Sequence, residues 1–168
     1  VCSSDLVPRP ETEVLVEAVI EAIKHHRKKN LHLHDCCTGS GCIGIAIAHA
    51  VDQHAGTPNQ VTVSLSDRSP DALAVARHNS QTLLGRILPT WESDLFGSSA
   101  FDDQYFDIVT ANPPYLTSDE SDSCLRQGWG EPRAALDGGS DGLDVIRRLI
   151  EQATRVLTTG GRLFIELA

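Results

Sequence analysis

Apolar and polar residues recur along the chain with two periods, and these periods predict a succession of helices and strands. From Pro10 to Lys29, apolar residues return every three or four positions, which predicts an amphipathic helix. Short apolar runs bounded by polar or glycine-rich segments predict strands. The predicted elements are helices over 10–29, 42–51, 69–84 and 142–158, strands over 31–36, 61–66, 105–111 and 162–167, and a weaker strand over 87–91.

Helices and strands alternate in this order, which is typical of an α/β protein with a mostly parallel sheet and helices on both faces. Ligands of such sheets bind beyond the carboxyl ends of the strands. Three polar features follow predicted strands: the turn Thr38–Gly41, Asp67 and the tetrapeptide Asn112–Tyr115. The segment Leu116–Asp141 exceeds the usual length of a loop, and we expect a functional loop or lid there.

Composition narrows the class of protein. A chain of 168 residues suits one domain, and no apolar run approaches the roughly 18 residues that a membrane span needs. The net charge of -9 argues against a face that binds nucleic-acid phosphates. Five cysteines without a secretory signal indicate a reduced, cytoplasmic protein, and their spacing matches no zinc site, so we expect no metal. The seven histidines are scattered, and we expect all of them at surface or boundary positions.

Both ends of the chain are unusual. The first six residues, Val1–Leu6, match the translation of a common sequencing adapter, and the chain contains no methionine. The last residues stop inside a predicted strand. We therefore expect residues 1–6 to be an assembly artefact on a truncated gene, and residues 7–168 to form a single, incomplete domain.

The glycine turn and Asp67 predict a nucleotide-like ligand. Gly39, Gly41 and Gly44 form a G-x-G-x-x-G pattern between a predicted strand and a helix, where glycine lets the backbone approach a ligand. Asp67 ends the next strand, where a carboxylate can accept both hydroxyls of a ribose. Asp35 could face an ammonium group or a backbone donor. These residues alone do not separate a nicotinamide cofactor from S-adenosylmethionine, so an oxidoreductase remains an alternative.

The sequence Asn112-Pro113-Pro114-Tyr115 favours methyl transfer to a planar nitrogen. The prolines fix φ and remove two backbone donors. The side-chain oxygen of Asn112 and the carbonyl of Pro113 can then accept both hydrogens of an amide or amino group. Tyr115 offers a flat face to that group. A glutamine amide and the amino group of a nucleic-acid base both fit this prediction.

Four motifs carry a resemblance to a known family. Asn112–Tyr115 resembles motif IV of the amino-methyltransferases, and Asp35–Gly41 resembles their motif I. Val7–Glu13 and Glu131–Gly139, with Asp141-Gly142-Leu143, are similar to segments of the protein-(glutamine-N5) methyltransferases. Within these, the chain resembles the group that acts on peptide chain release factors more than the group that acts on ribosomal protein L3. The resemblance covers nearly all of residues 7–168.

The resemblance implies a Rossmann-like class I methyltransferase that lacks the family's N-terminal helical domain and C-terminal antiparallel strand pair. The implied reaction transfers a methyl group from S-adenosylmethionine to the glutamine of the Gly-Gly-Gln motif in bacterial release factors, by a monomer that binds no nucleic acid directly. The implied catalytic residues are Asn112, Pro113, Pro114 and Tyr115; the cofactor residues are Cys37, Thr38, Gly39, Ser40, Gly41, Asp67, Asp94, Leu95 and Asn112; the substrate-pocket residues are Arg9, Glu11 and Glu13.

The chain departs from the family pattern at two positions. Cys37 stands where the commonest motif I has glycine, so a positive φ cannot be assumed there. Leu95 stands where some members have tryptophan. The alternatives are an amino-methyltransferase of adenine N6 or guanine N2, a methyltransferase of the ribosomal protein L3 glutamine, a nicotinamide-dependent oxidoreductase and an inactive binding remnant.

Overall fold

The computed structural model describes residues 10–53 and 60–167, and it contains one five-stranded sheet with six α-helices. The proposed artefact at residues 1–6 and the predicted pocket residue Arg9 lie outside the described residues. The elements are α1 (Pro10–Lys24), β1 (Asn30–Cys36), α2 (Cys42–Gln53), β2 (Gln60–Asp67), α3 (Pro70–Leu84), β3 (Thr90–Glu92), a 3-10 turn (Ser99–Phe101), β4 (Phe106–Ala111), α4 (Ser118–Arg126), α5 (Arg133–Leu136), α6 (Asp144–Val156) and β5 (Leu157–Ile165).

The sheet has the strand order β3-β2-β1-β4-β5, and every pair of neighbouring strands is parallel. The six residues of β4 are all buried, as are the last four of β1. Strands of a parallel sheet are covered on both faces, which explains these continuous buried stretches. The predicted α/β class is confirmed.

Two apolar clusters hold the helices against the sheet. One joins α1, α2 and α3 to β1 and β2 through side chains such as Val19, Ile47 and Leu65. The other joins α6 to β4 through Leu149 and Val109, with Phe96, Phe101 and Phe106 alongside. The sheet is therefore fixed from both sides, and its carboxyl edge becomes a rigid platform.

His34 corrects the expectation that every histidine lies at the surface or a boundary. Its side chain is fully buried, and its ring nitrogens hydrogen-bond Ser64 Oγ at 2.9 Å and Ser66 Oγ at 2.8 Å. The ring of Phe106 stacks on it at a centroid distance of 4.7 Å. The alternation Leu31-His32-Leu33-His34 suggests a strand with one solvent-exposed face, but β1 is a central strand covered on both faces.

The segment 116–141 is more regular than the predicted loop. It contains α4 and α5, and α4 begins with a capping box in which Thr117 and Glu120 exchange hydrogen bonds between side chain and backbone. The last strand also begins earlier than predicted, because Gly160 and Gly161 lie inside β5. Across the described ranges, no helix has the length and apolar character needed to cross a membrane.

Candidate functional site

The candidate site lies where the strand order reverses, between β1 and β4. Cys36 at the end of β1 pairs with Ala111 at the end of β4. The glycine turn and the Asn112 tetrapeptide therefore leave the sheet side by side, and Asp67 leaves it from β2, on the other side of β1. This is the position at which open α/β sheets bind ligands.

The glycine turn needs several residues with left-handed backbone. Cys37, Gly39 and Gly41 have φ values of 57°, 54° and 86°. Cys37 thus has the positive φ that could not be assumed for a residue other than glycine, and its Cβ makes this left-handed conformation sterically unfavourable. The turn is tied to β2 by a hydrogen bond from the Thr38 amide to the Ser66 carbonyl at 3.0 Å.

Asp35 is a buried support of the turn. Its Oδ2 accepts hydrogen bonds from Thr38 Oγ1 at 2.5 Å and the Gly44 amide at 3.1 Å, and its Oδ1 accepts one from Thr110 Oγ1 at 2.7 Å. Burial raises the pKa of Asp35 to about 6, against the opposing effect of these hydrogen bonds. Asp35 therefore connects β1, the turn, α2 and β4. Its backbone donor is Gly44, one of the two partners the sequence suggested.

Acid should affect the stability of the fold through two adjacent buried groups that act in opposite directions. Burial lowers the pKa of His34 to about 3, so below pH 6.5 the unfolded chain binds a proton that the folded chain does not, and stability falls as pH falls. Asp35 has a pKa of about 6 in the folded chain and an ordinary pKa of 3.8. Between pH 6 and pH 3.8 the folded chain therefore binds a proton that the unfolded chain does not, and Asp35 makes stability rise as the pH falls. Each group contributes a slope of about 1.4 kcal/mol per pH unit.

Variants of the two residues separate these slopes. As the pH falls from 6 to 4, the unfolding free energy of Asp35→Asn should fall by about 1.4 kcal/mol per pH unit relative to that of the unmodified protein. Over the same range, the unfolding free energy of His34→Gln should rise by a similar amount relative to the unmodified protein. Urea unfolding at pH 7, 6, 5 and 4 measures both differences, in which the other titrating groups cancel. Parallel pH profiles for all three proteins would contradict the assignment.

Asp67 lies on the wall of a large cleft of about 1180 Å³ that opens at the carboxyl edge of the sheet. Its Oδ2 accepts a hydrogen bond from the Gly39 amide at 2.8 Å, and its Oδ1 accepts one from the Ser69 amide at 2.9 Å. An ionised carboxylate offers about four acceptor positions, so the two backbone bonds fix its orientation and leave further acceptor positions. Of the predicted cofactor residues, the cleft is lined by Cys37, Gly39, Ser40, Asp67, Asp94, Leu95 and Asn112.

The lining of the cleft includes an ion pair that the sequence did not suggest. Asp94 Oδ2 accepts a hydrogen bond from Arg148 of α6 at 2.6 Å, and both side chains line the cleft. Leu95 beside it is buried at a positive φ of 55°. A leucine in this strained conformation places its side chain in the wall, where it offers an aliphatic surface to a ligand.

A second, smaller pocket of about 70 Å³ adjoins the cleft. Asn112, Pro113 and Tyr115 line it, whereas Pro114 lines the cleft. Thr38 lines only the small pocket, and Gly41 lines neither cavity, because its backbone turns the chain into α2. The two cavities share a wall, made by Cys37, Gly39, Ser40, Cys42, Asn112 and Ala135. A ligand in the cleft and a ligand in the pocket would therefore lie next to each other along these residues, which include Asn112.

Asn112 is held by a residue that follows β5. Its Nδ2 donates a hydrogen bond to Glu166 Oε1 at 2.9 Å, and Glu166 is itself nearly buried. Within the described ranges, no group donates a hydrogen bond to Asn112 Oδ1 or to the Pro113 carbonyl. Two residues that line the pocket thus each keep an acceptor without a donor among the described residues.

The segment after α5 braces the tetrapeptide. The Gly138 amide donates to the Leu116 carbonyl at 2.7 Å, and the Leu116 amide donates to the Leu136 carbonyl at 3.0 Å. A Cβ on Gly142, whose φ is 74°, would lie 2.3 Å from the Tyr115 carbonyl oxygen. The family-like segment at 131–143 is therefore packed directly against the tetrapeptide, backbone to backbone.

The start of α1 places a different residue in the pocket from those predicted. Thr12 is buried and lines the small pocket, whereas Glu13 is exposed and lines neither cavity, and the side chain of Glu11 lies outside the described residues. The inward face of α1 carries Thr12, Leu15 and Val19, at helical spacing. The helical spacing of Thr12 with the apolar residues Leu15 and Val19 is visible in the sequence and predicts that Thr12 faces inward, where it lines the small pocket.

The thiols at the site are not nucleophiles. The hydrogen bond with Cys36, together with burial, raises the pKa of Cys37 well above its usual value, and burial raises the pKa of Cys42 to about 11. Both therefore stay protonated at neutral pH, which excludes a thiolate at these two positions. They act as small wall residues between the two cavities.

The chain is similar in sequence to known glutamine methyltransferases. The chain is 41% identical over 165 residues to the release factor glutamine methyltransferase of Clostridium acetobutylicum, an alignment of 96% of this chain and 54% of that protein. It is 38% identical over 134 residues to the ribosomal protein uL3 glutamine methyltransferase of Francisella tularensis, covering 79% and 40%. The chain thus spans about half the length of such relatives.

Solved structures show the same fold. The ribosomal protein L11 methylase of Lactobacillus delbrueckii subsp. bulgaricus superposes with a TM-score of 0.60 at 19% identity, over 95% of this chain and 61% of that one.

A family model described as the methyltransferase small domain matches residues 10–128, which include the glycine turn, Asp67 and the tetrapeptide. Since this match extends over more than two-thirds of the chain, the protein is a member of the methyltransferase small domain family.

Proposed function

We propose that the cleft binds S-adenosylmethionine, that the small pocket receives the side-chain amide of a glutamine, and that the protein methylates the amide nitrogen. The observation that carries this proposal is a pair of neighbouring acceptors: Asn112 Oδ1, on a residue that lines both cavities, and the carbonyl of Pro113, which lines the small pocket. A primary amide carries two N–H groups on one planar nitrogen, and two adjacent acceptors match them.

The residues of the cleft fit the proposed cofactor. Asp67, oriented by the Gly39 and Ser69 amides, keeps acceptor positions for the two ribose hydroxyls. Asp94 and Leu95 would lie beside the adenine, and the turn from Cys37 to Ser40 would hold the amino-acid part. S-adenosylmethionine supplies a methyl group that is electrophilic because it is bonded to a sulfonium.

The chain's own part in the reaction is positioning. An amide nitrogen is a weak nucleophile, because its lone pair is delocalised into the carbonyl. Acceptance of both hydrogens by Asn112 and Pro113 would polarise the N–H bonds and raise the electron density on nitrogen. It would also fix the direction of the nitrogen toward the cleft, and alignment of this kind is worth several kcal/mol, up to about 10. As the new N–C bond forms, the S–C bond would break with its electron pair left on sulfur, which becomes a neutral thioether, and the displaced N–H proton would pass to water.

Asp67→Asn should weaken cofactor binding and leave transfer nearly intact. Asparagine retains one oxygen but loses the charge, so a charge-assisted hydrogen bond to the ribose is lost, and the dissociation constant of S-adenosylmethionine should rise about 10- to 100-fold. Calorimetry measures this constant, and the rate at saturating cofactor should stay within a few-fold. Asp103→Asn, at an exposed site outside both cavities, is the matched control. Equal affinities of the two variants would refute the ribose assignment.

Peptide chain release factors are the substrate class that we propose. Relatives named for release factors align over 96–99% of this chain, and a relative named for uL3 aligns over 79%. Another relative named for uL3 aligns over 96%, so ribosomal protein uL3 is the second candidate for the same chemistry.

The experiment supplies labelled S-adenosylmethionine and compares four acceptors: a release factor, its Gly-Gly-Ala variant, uL3 and bare nucleic acid. The proposal requires label on the release factor that is lost in the variant. Label on uL3 alone would change the substrate, and label on nucleic acid alone would overturn glutamine methylation. Calorimetric binding of NAD without S-adenosylmethionine would favour the oxidoreductase alternative.

A further inference from the structure

The geometry points to Glu166 as a positioning residue that sets which end of the Asn112 amide faces the substrate. The inference rests on the proposed function, because orientation matters only if Asn112 Oδ1 is an acceptor for the substrate. Glu166 follows β5, and its own amide donates to the Ala111 carbonyl at 3.0 Å, so its backbone is tied to the residue before Asn112.

The two ends of an asparagine amide have opposite hydrogen-bonding character. The oxygen only accepts and the nitrogen only donates, although their shapes are nearly identical. Rotation of Asn112 by half a turn would therefore present a donor in place of an acceptor. In that orientation the N–H groups of Asn112 would face the N–H groups of a glutamine, and two donors cannot form a hydrogen bond with each other.

A carboxylate partner prevents this rotation. Glu166 Oε1 accepts from Asn112 Nδ2 at 2.9 Å, and an ionised carboxylate has no hydrogen to offer to Oδ1. Only one orientation of Asn112 is then satisfied by Glu166, and in that orientation Oδ1 is left for the pocket. A glutamine at position 166 could satisfy either orientation, because its amide both donates and accepts.

The surroundings of Glu166 argue against a purely structural role. The residue is 6% exposed, and within the described residues its Oε2 is buried without a hydrogen-bond partner. A buried carboxylate oxygen left unpaired is unfavourable for folding. A side chain selected only to hold β5 against β4 would not carry this cost, whereas one that orients Asn112 needs its negative charge.

The variant Glu166→Gln tests the inference. We expect kcat for methyl transfer to fall about 10- to 100-fold, as mispositioning of a reacting group does. The dissociation constant of S-adenosylmethionine and the thermal midpoint should stay unchanged, or the midpoint should rise. Glu151→Gln, on the exposed face of α6, controls for the loss of one charge and should match the unmodified protein in all measurements. Unchanged kcat in Glu166→Gln would overturn the inference.

A second measurement does not depend on activity. In ¹H–¹⁵N spectra, the Asn112 side-chain amide, assigned by its absence in Asn112→Asp, should show one proton shifted and protected from exchange by Glu166. In Glu166→Gln this signal should split into two conformers or lose its protection. Unchanged signals in Glu166→Gln would refute the positioning role, whether or not the protein methylates glutamine. A protein that methylates no glutamine but shows the expected change of signals would refute only the proposed function. If Glu166→Gln does not fold, Glu166→Asp, which keeps the charge with a shorter reach, should reproduce the lowered kcat.

Discussion

Asn112→Ala is expected to lower kcat for methyl transfer by about 10²- to 10³-fold, the size of effect seen when one preorganised hydrogen bond at a reacting group is removed. The substitution removes an acceptor that the substrate nitrogen would use, and its effect belongs to the transition state more than to ground-state binding. The dissociation constant of S-adenosylmethionine should change by less than about tenfold, which is 1.4 kcal/mol. Single-turnover rates and calorimetry on the same preparation measure the two quantities.

The matched control is Asn79→Ala. Asn79 also lines the cleft, but its Nδ2 donates to the Ser40 carbonyl at 2.9 Å and supports the turn from α3. Its removal should weaken cofactor binding and leave kcat at saturating cofactor nearly unchanged. Asn112→Ala with full turnover would remove the main support for the proposed mechanism. A large loss of cofactor affinity without loss of turnover would assign Asn112 to binding alone.

Local patterns were enough to predict the part of the candidate site that is built from consecutive residues. The glycine turn follows β1 and the tetrapeptide follows β4, and parallel topology brings the carboxyl ends of strands to one edge. Each of these features combines a strand end with residues that fix φ, which is information within a few positions. The order of strands, with β1 beside β4, then places Cys37 and Asn112 on adjacent strand ends.

The remaining features depend on contacts between distant residues. Glu166 lies 54 positions from Asn112, and nothing near it in the sequence marks it as a partner of the tetrapeptide. Burial of His34 follows from its place in a central strand, which the period of β1 alone does not reveal. Helix α4 lies where a loop was predicted for a different reason, since Thr117 and Glu120 carry a local capping signal that outweighs the many polar residues around it.

Gly142→Ala is expected to displace the tetrapeptide Asn112–Tyr115. The added Cβ would lie 2.3 Å from the Tyr115 carbonyl oxygen and 3.2 Å from its carbon, and backbone atoms cannot rotate away as a flexible side chain can. The segment 112–115 must then shift, and a shift of about 1 Å costs about 10²-fold in rate when a reacting group is held there. The unfolding free energy should fall by about 2–4 kcal/mol, from the clash and from the positive φ together.

Gly85→Ala separates the clash from the backbone conformation. Gly85 ends α3 with a φ of 69°, close to the 74° of Gly142, but a Cβ there meets no atom within 4 Å. Alanine at position 85 should therefore cost only the left-handed conformation, about 1 kcal/mol, with kcat unchanged. The excess destabilisation of Gly142→Ala in urea unfolding measures the close approach to Tyr115. Because Gly142 closely approaches Tyr115 and Gly85 does not, only Gly142→Ala should lose turnover. An equal loss in both variants would mean that the segment around Gly142 does not hold the tetrapeptide in place.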